Sequence, residues 1–239
     1  MGVVSVRLNT GLFSVPYASG QDIIEERVPH RDKPYFFKTE KRPMEFELTF
    51  STIDGGLTPA RRHSLARWLI KDYYAELQFV GDMTKMYRVI AISDVEFVTN
   101  GNDEGYFSIQ FRCDAPWAWS NLIVERYACM TGRTINISNK TNVAKYHYPE
   151  IEIRSIWSQN ISFVNLREPN RIFSLTGIVT EERIYFDNEN RRIITDLPAT
   201  YRLKNFNRNW LRLMQGENTI RINEGMFLLT LRTRYPIAQ

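Results

Sequence analysis

Three histidines are all this 239-residue chain offers for acid–base work near neutral pH: His30, His63 and His147. His30 lies in a charged loop, His63 at the start of an amphipathic segment, and His147 between two tyrosines. No Gly-x-Ser-x-Gly elbow, His-Glu-x-x-His pair or P-loop accompanies them. A triad assembled from distant residues leaves no such trace and stays open. The carboxylates come as adjacent pairs, Glu25-Glu26, Asp103-Glu104 and Glu181-Glu182. Neighbours on a strand point to opposite faces, so these pairs do not converge across a cleft as glycoside hydrolysis requires. Cys113 and Cys129 lack metal-ligand spacing and read as two buried free thiols. The expectation is no catalytic residue, no metal site and no cofactor.

Sugar binding is the stronger chemical alternative, because an exposed aromatic ring can stack on a pyranose. Trp157 and Trp210 are the candidates in the second half of the chain. Trp157 sits in the polar run Ser155-Ile-Trp-Ser-Gln-Asn160, where an aromatic is less obviously core. Trp210 sits in a strand-like pattern, where burial is the default. A carbohydrate-binding module recognising cell-wall glycan is therefore the second reading.

The elements that would position such residues are clearest between Arg42 and Trp119. Phe46, Leu48 and Phe50 alternate with Glu45, Glu47 and Thr49, which predicts a strand with one apolar face. Asp54-Gly-Gly56 breaks it, and Thr58-Pro59 opens a helix predicted to run to Tyr74. Leu65, Trp68, Leu69 and Tyr73 are its expected core stripe, with Arg61, Arg62, Arg67 and Lys71 turned to water. Strands follow over Ala75–Val80, Met86–Ala91, Val95–Phe97 and Tyr106–Phe111, the last two around a polar tip at Asn100–Gly105.

Ahead of this centre, Val4, Val6 and Leu8 share one face of a first strand. Gln21 to Lys41 then reads as a long polar loop carrying Tyr35-Phe36-Phe37. Three adjacent aromatics need a cover, and a neighbouring copy of the chain is the expected one. After the centre, Asn121 to Tyr148 is rich in Asn, Thr and Lys and reads as a boundary, giving domains 1–130 and 131–239. From Pro149 onward short strands recur with no helical stripe, which predicts a β-sandwich. The fold class expected is mainly β with one or two helices (α+β).

The bulk properties set few further limits. Net charge is +4 and pI about 9.0, with dispersed basic residues, which does not by itself indicate DNA binding. A hydrophobic fraction of 43% suffices for a buried core. No signal-peptide core and no apolar run of membrane-spanning length is present, so a soluble, cytosol-made chain without membrane insertion is expected.

Several stretches carry a family resemblance. They are Arg42-Pro-Met-Glu-Phe-Glu-Leu-Thr-Phe50, Ala66-Arg-Trp-Leu69, Tyr73-Tyr-Ala-Glu-Leu-Gln-Phe-Val-Gly-Asp82 and Asp114-Ala-Pro-Trp117. Ile24–Phe37, Trp210-Leu-Arg-Leu213 and Gly216-Glu-Asn-Thr-Ile220 extend it towards both ends. In this order they resemble the distal tail proteins of long, non-contractile-tailed bacteriophages, siphophages. The resemblance implies an N-terminal ring-forming β domain with a packed helix, followed by a galectin-like β-sandwich. It implies a hexameric ring in the virion tail tip or baseplate, between the tail tube protein and the tail-tip hub or tail-associated protein. Receptor-binding proteins for host adsorption are further implied partners, and DNA passes through the channel without tight binding. Assembly in the host bacterial cytoplasm follows from the same resemblance.

Overall fold

A computed structural model of the chain describes residues 3–5, 19–52, 56, 58–99, 105–157 and 160–238. The first-strand reading beyond Ser5, most of the Asp54-Gly55-Gly56 turn and the polar tip at 100–104 lie outside them. The chain divides into two compact units, one of residues 1–118 with 238–239 and one of 119–237.

The first unit is built from β1 (Val3–Ser5), β2 (Gln21–Glu26), β3 (Tyr35–Lys41), β4 (Glu45–Thr52), α1 (Pro59–Leu69), β5 (Ala75–Phe79), β6 (Asp82–Ala91), β7 (Phe97–Thr99) and β8 (Gly105–Cys113). Its main sheet runs β1-β4-β8-β6, with β5 on β6 and β7 on β8. The register pairs Phe46 with Phe111, Leu48 with Ile109 and Phe50 with Phe107, so the alternation in β4 meets its match in β8. These residues join Leu65 of α1, Tyr87 and Val89 in one core. The Phe50 and Phe107 rings stack at 5.4 Å.

The helix departs from expectation. It ends at Leu69, and Ile70 is already extended. Leu65 is 2% exposed and Leu69 packs at the core margin, whereas Trp68 and Tyr73 are 56% and 59% exposed. The stripe is therefore narrower than the sequence suggested. Leu65 and Leu69 define the contact line, and Trp68 lies about 60° from Leu65 and about 100° from Leu69 on a helix of 3.6 residues per turn, on the water side. Thr58 precedes Pro59 as predicted but makes no side-chain cap bond.

The second unit contains β9 (Ala118–Ser120, which begins one residue before it), β10 (Ile123–Met130), β11 (Thr134–Asn139), β12 (Glu150–Ser155), β13 (Ile161–Asn165), β14 (Ile172–Leu175), β15 (Arg183–Asp187), β16 (Arg192–Thr195), β17 (Gly216–Glu224) and β18 (Met226–Thr233). Two sheets, β10-β18-β12-β15-β16 and β11-β17-β13-β14, face each other as a sandwich. Their inward residues form a single core that includes Ile151, Phe163, Phe173, Phe186, Ile220 and Leu229. Phe163 and Phe173 stack at 4.3 Å and 11°.

Two sequence expectations are corrected here. The boundary lies a dozen residues before 130, since β10 pairs along its whole length with β18 and so belongs to the sandwich. The Asn-rich stretch read as a linker contains β10 and β11. β17 and β18, though consecutive, do not form a hairpin: they enter opposite sheets. Gly225 makes that crossing with φ +109, and a Cβ there would stand 2.9 Å from the carbonyl oxygen of Asn160.

Candidate functional site

Residues 21–41, read as a loop, form a two-stranded sheet of their own. Every residue of β2 and β3 is exposed. Pairs run from Gln21 with Lys41 to Ile24 with Lys38, then shift so that Glu25 meets Phe36 and Glu26 meets Tyr35. The residue skipped is Phe37. Such a bulge sets two side chains of one strand against one of the other. Phe36 and Phe37 thus share the side of Glu25, which is also the side of Ile23. Their exposures are 63%, 61% and 64%. The opposite side carries Asp22, Ile24, Glu26, Tyr35, Lys38 and Glu40, and Gln21, Thr39 and Lys41 stand on the side of Ile23. Large apolar side chains thus stand exposed on both sides of the hairpin, Ile23, Phe36 and Phe37 on one and Ile24 and Tyr35 on the other. A two-stranded hairpin is marginally stable by itself in water, so this geometry calls for a partner surface.

Helix α1 supplies a second exposed apolar region in Trp68, continued by Ile70 at 49% and Tyr73. Its sequence Pro59-Ala-Arg-Arg-His-Ser-Leu-Ala-Arg-Trp-Leu69 contains three arginines and no carboxylate. The guanidinium of Arg62 lies over the Phe97 ring at 5.3 Å, so this basic residue leans towards the core margin.

The opposite face of the first sheet is polar. Glu47 pairs with Gln110 and Thr49 with Ser108, whose hydroxyls are 2.7 Å apart. An open groove of about 370 Å³ lies on this face, lined by residues that include Glu47, Asp94, Glu96, Ser93 and Tyr106. Its charged lining side chains are all carboxylates. Such a surface repels phosphate.

The two glycan candidates separate. Trp157 is 81% exposed, as a stacking platform requires. Trp210 is 7% exposed, edge-on to Phe206 at 4.9 Å and to Phe186 at 6.3 Å. That position corrects the pairing: Trp210 is core and has no free face for a sugar.

Two family models match this chain. The one described as "Phage tail protein N-terminal domain" covers residues 1–115, and "Phage tail C-terminal domain" covers residues 117–232. The chain belongs to the phage tail proteins. A curated relative from Bacillus subtilis (strain 168), SPbeta prophage-derived uncharacterized protein YomH, is 25% identical over 237 residues, covering 98% of this chain and 92% of YomH. Among solved structures, the Dit (gp 19.1) protein of phage SPP1, described as a paradigm of hub adsorption apparatus in Gram-positive infecting phages, matches with a TM-score of 0.71. That match is 11% identical and covers 98% of this chain and 94% of the other, so the likeness is one of fold and spans both units.

The remaining chemistry-bearing groups of this tail protein are held in structural roles. Glu182, of the adjacent pair, is buried while Glu181 is exposed in an ion pair with Arg154. Glu182 accepts hydrogen bonds from Arg202 Nε (2.7 Å) and Nη2 (2.6 Å), the Thr195 hydroxyl (2.6 Å) and the Val179 amide (3.0 Å). Burial pushes its carboxyl up, but the bonds from Arg202, Thr195 and Val179 outweigh burial and hold it below the ordinary carboxylate range. His147 bonds the Thr233 hydroxyl and lies 5.0 Å from the Tyr235 ring. Burial lowers its pKa to about 4, so it is neutral at physiological pH. Burial, with Asp114 adding to it at Cys113, raises both thiols to about 12. Among the described residues no cluster of three or more His, Cys, Asp or Glu could hold a metal ion, and no helix is long and apolar enough to cross a membrane. The sequence offered no sign of the Glu182–Arg202 pair, since its partners lie 20 residues apart.

Proposed function

We propose that this chain is a distal tail component that works by docking, without making or breaking bonds. Copies assemble through the first unit into a closed ring, hexameric by family resemblance, between the tail tube protein and the tail-tip hub. The observation that carries this reading is the exposed hairpin β2–β3, whose Ile23, Phe36 and Phe37 turn 61–64% of their surface to water on a chain of the phage tail family. A head-to-tail contact that closes into a ring covers these side chains in every copy and leaves none outstanding. The sandwich unit then serves as a platform for receptor-binding or other baseplate proteins. The groove of Glu47, Asp94 and Glu96 on the polar face of the first sheet suits the wall of a DNA path, because its carboxylates offer phosphate no contact, and Arg112 on the same face is paired with Glu45. DNA binding by the purified protein is expected to be negligible at all salt concentrations.

Immunogold labelling with antibodies against the purified chain tests the placement. Label confined to the far end of the tail, between tube and fibre, supports it; label along the tube or on the capsid overturns it. The exposed Trp157 favours a second reading, in which the sandwich stacks on host cell-wall glycan. Titrating cell-wall polysaccharide against tryptophan fluorescence decides this. A quench absent from Trp157→Ala supports glycan binding, and no change in the unsubstituted protein removes it.

A further inference from the structure

The two sheets of the sandwich end on four edge strands, β10 and β16 in one and β11 and β14 in the other. An edge strand offers its outward N–H and C=O groups to any strand that can pair with them. Three of the four are closed or short. β16 has four residues. On β14, the Asn207 amide donates to the Ser174 carbonyl, the Ser174 amide donates to the Asn207 side chain, and the Asn207 and Asn209 side chains both donate to the Ile172 carbonyl. On β11, the hydroxyls of Tyr127 and Tyr235 donate to the Asn136 and Ser138 carbonyls. β10 differs from these three. It pairs with β18 over eight residues without a bulge and contains no proline. The Thr131 amide donates to the Gly225 carbonyl at 2.9 Å, in line with the same register, so the odd-numbered residues of β10 bond β18. Val124, Arg126, Ala128 and Met130 therefore turn their N–H and C=O groups to the outer edge. Of these groups only the Met130 carbonyl has a partner among the described residues, the Arg133 amide. All four residues are exposed.

We propose that β10 of one copy pairs antiparallel with β10 of a second copy about a two-fold axis, joining two sandwiches through one continuous sheet. This goes beyond the ring reading and does not depend on it. The register sets Val124 opposite Met130, Arg126 opposite Ala128, and Tyr127 opposite its own counterpart. In that register the strand is its own complement. The outward groups of each even-numbered residue meet those of an even-numbered residue on the other copy, and one contact satisfies both edges. Arg126 is the only charged residue of the four, and it faces a methyl group. Sliding the copies by one pair sets Arg126 against Arg126 in one direction and shortens the overlap in the other; like charges directly opposite destabilise a strand pair. Val124 and Met130 form an apolar pair at each end. Met226 and Leu228, beside Met130 and Ala128 on β18 and each 39% exposed, carry the apolar strip on from the joint. An isologous contact stops at two copies, whereas head-to-tail strand addition does not.

The test is a disulfide. The double variant Val124→Cys/Met130→Cys is oxidised with oxidised glutathione and run on a non-reducing denaturing gel, with the two single variants as controls. Hydrogen-bonded partners on antiparallel strands stand about 5.5 Å apart at Cα, within disulfide reach. Positions 124 and 130 of one copy lie about 20 Å apart on a strand rising about 3.4 Å per residue, so they cannot bond to each other. Position 124 of one copy is equally far from position 124 of the other, so a single variant does not link. Cys113 and Cys129 are buried and their thiols stay protonated, so background oxidation is low. The expected result is a covalent dimer from the double variant alone, with nothing larger. No dimer, a dimer from either single variant, or a ladder of larger species overturns the proposal. Adding Ala128→Pro supplies a second arm. It removes an outward N–H and no bond to β18, so the near-ultraviolet circular dichroism of the fold is expected to persist while the dimer is lost. A dimer undiminished by Ala128→Pro also overturns the proposal.

Discussion

Replacing Glu182 with alanine isolates the most deeply buried ion pair of the second unit. The side chains of Glu182 and Arg202 are 0% and 7% exposed. The substitution removes the acceptor for two Arg202 bonds, for the Thr195 hydroxyl and for the Val179 amide. Arg202 then keeps only its bond from Nη1 to the Gly177 carbonyl at 2.8 Å. A guanidinium left buried with one partner costs about 3–5 kcal/mol, more than an ordinary hydrogen-bond deletion. The assay is urea unfolding at pH 7, followed by near-ultraviolet circular dichroism. The double variant Glu182→Leu/Arg202→Leu removes both charges and is expected to lose much less than Glu182→Ala. The pair also predicts a pH dependence. The folded-state pKa of Glu182 is depressed, so its contribution is present above the unfolded value, near 4.3, and is lost as pH falls through the folded value. A loss below about 1 kcal/mol for Glu182→Ala, or a double variant as unstable as the single, refutes this account of the pair.

Leu65→Ala is expected to destabilise the first unit by about 2–5 kcal/mol in denaturant melting, while Trp68→Ala changes it by less than about 0.5. Equal losses would show that the tryptophan is core after all. His147 contributes a second pH effect: its folded pKa of about 4 lies below the ordinary value of 6.5, so the unfolded chain binds the extra proton between them. Stability of the second unit therefore falls as pH drops from about 6.5 towards 4, and His147→Gln flattens that segment of the profile. Gly225→Ala forces a side chain into a φ of +109 with a carbonyl 2.9 Å away, and thermal unfolding should fall by several degrees. Phe36→Ser/Phe37→Ser leaves the melting curve within about 0.5 kcal/mol, since both residues are exposed, yet abolishes ring assembly in sedimentation velocity.

The sequence was most legible where one face is buried and the other wet. β4 reads as a strand because Phe46, Leu48 and Phe50 alternate with polar residues, and its partner β8 does the same. β10 was missed because its two faces are both mixed. Ile123, Glu125, Tyr127 and Cys129 turn inward while Val124, Arg126, Ala128 and Met130 turn out, so hydropathy hardly alternates. β11 was hidden by Asn136, Ser138 and Asn139, although Asn139 is buried and bonds the Leu213 carbonyl. The hairpin reads as a loop in sequence for a related reason: with every residue exposed, no core face imprints a period on it. Its aromatic triplet nevertheless marked it as a surface needing a partner. The crossing at Gly225 was beyond a local reading, because choosing a hairpin or a change of sheet depends on strands distant in sequence.

Electron microscopy of the purified, unsubstituted protein at high concentration tests the central claim most directly. The account predicts closed rings. A solitary particle at every concentration, with no association with tail tube or hub protein, contradicts it.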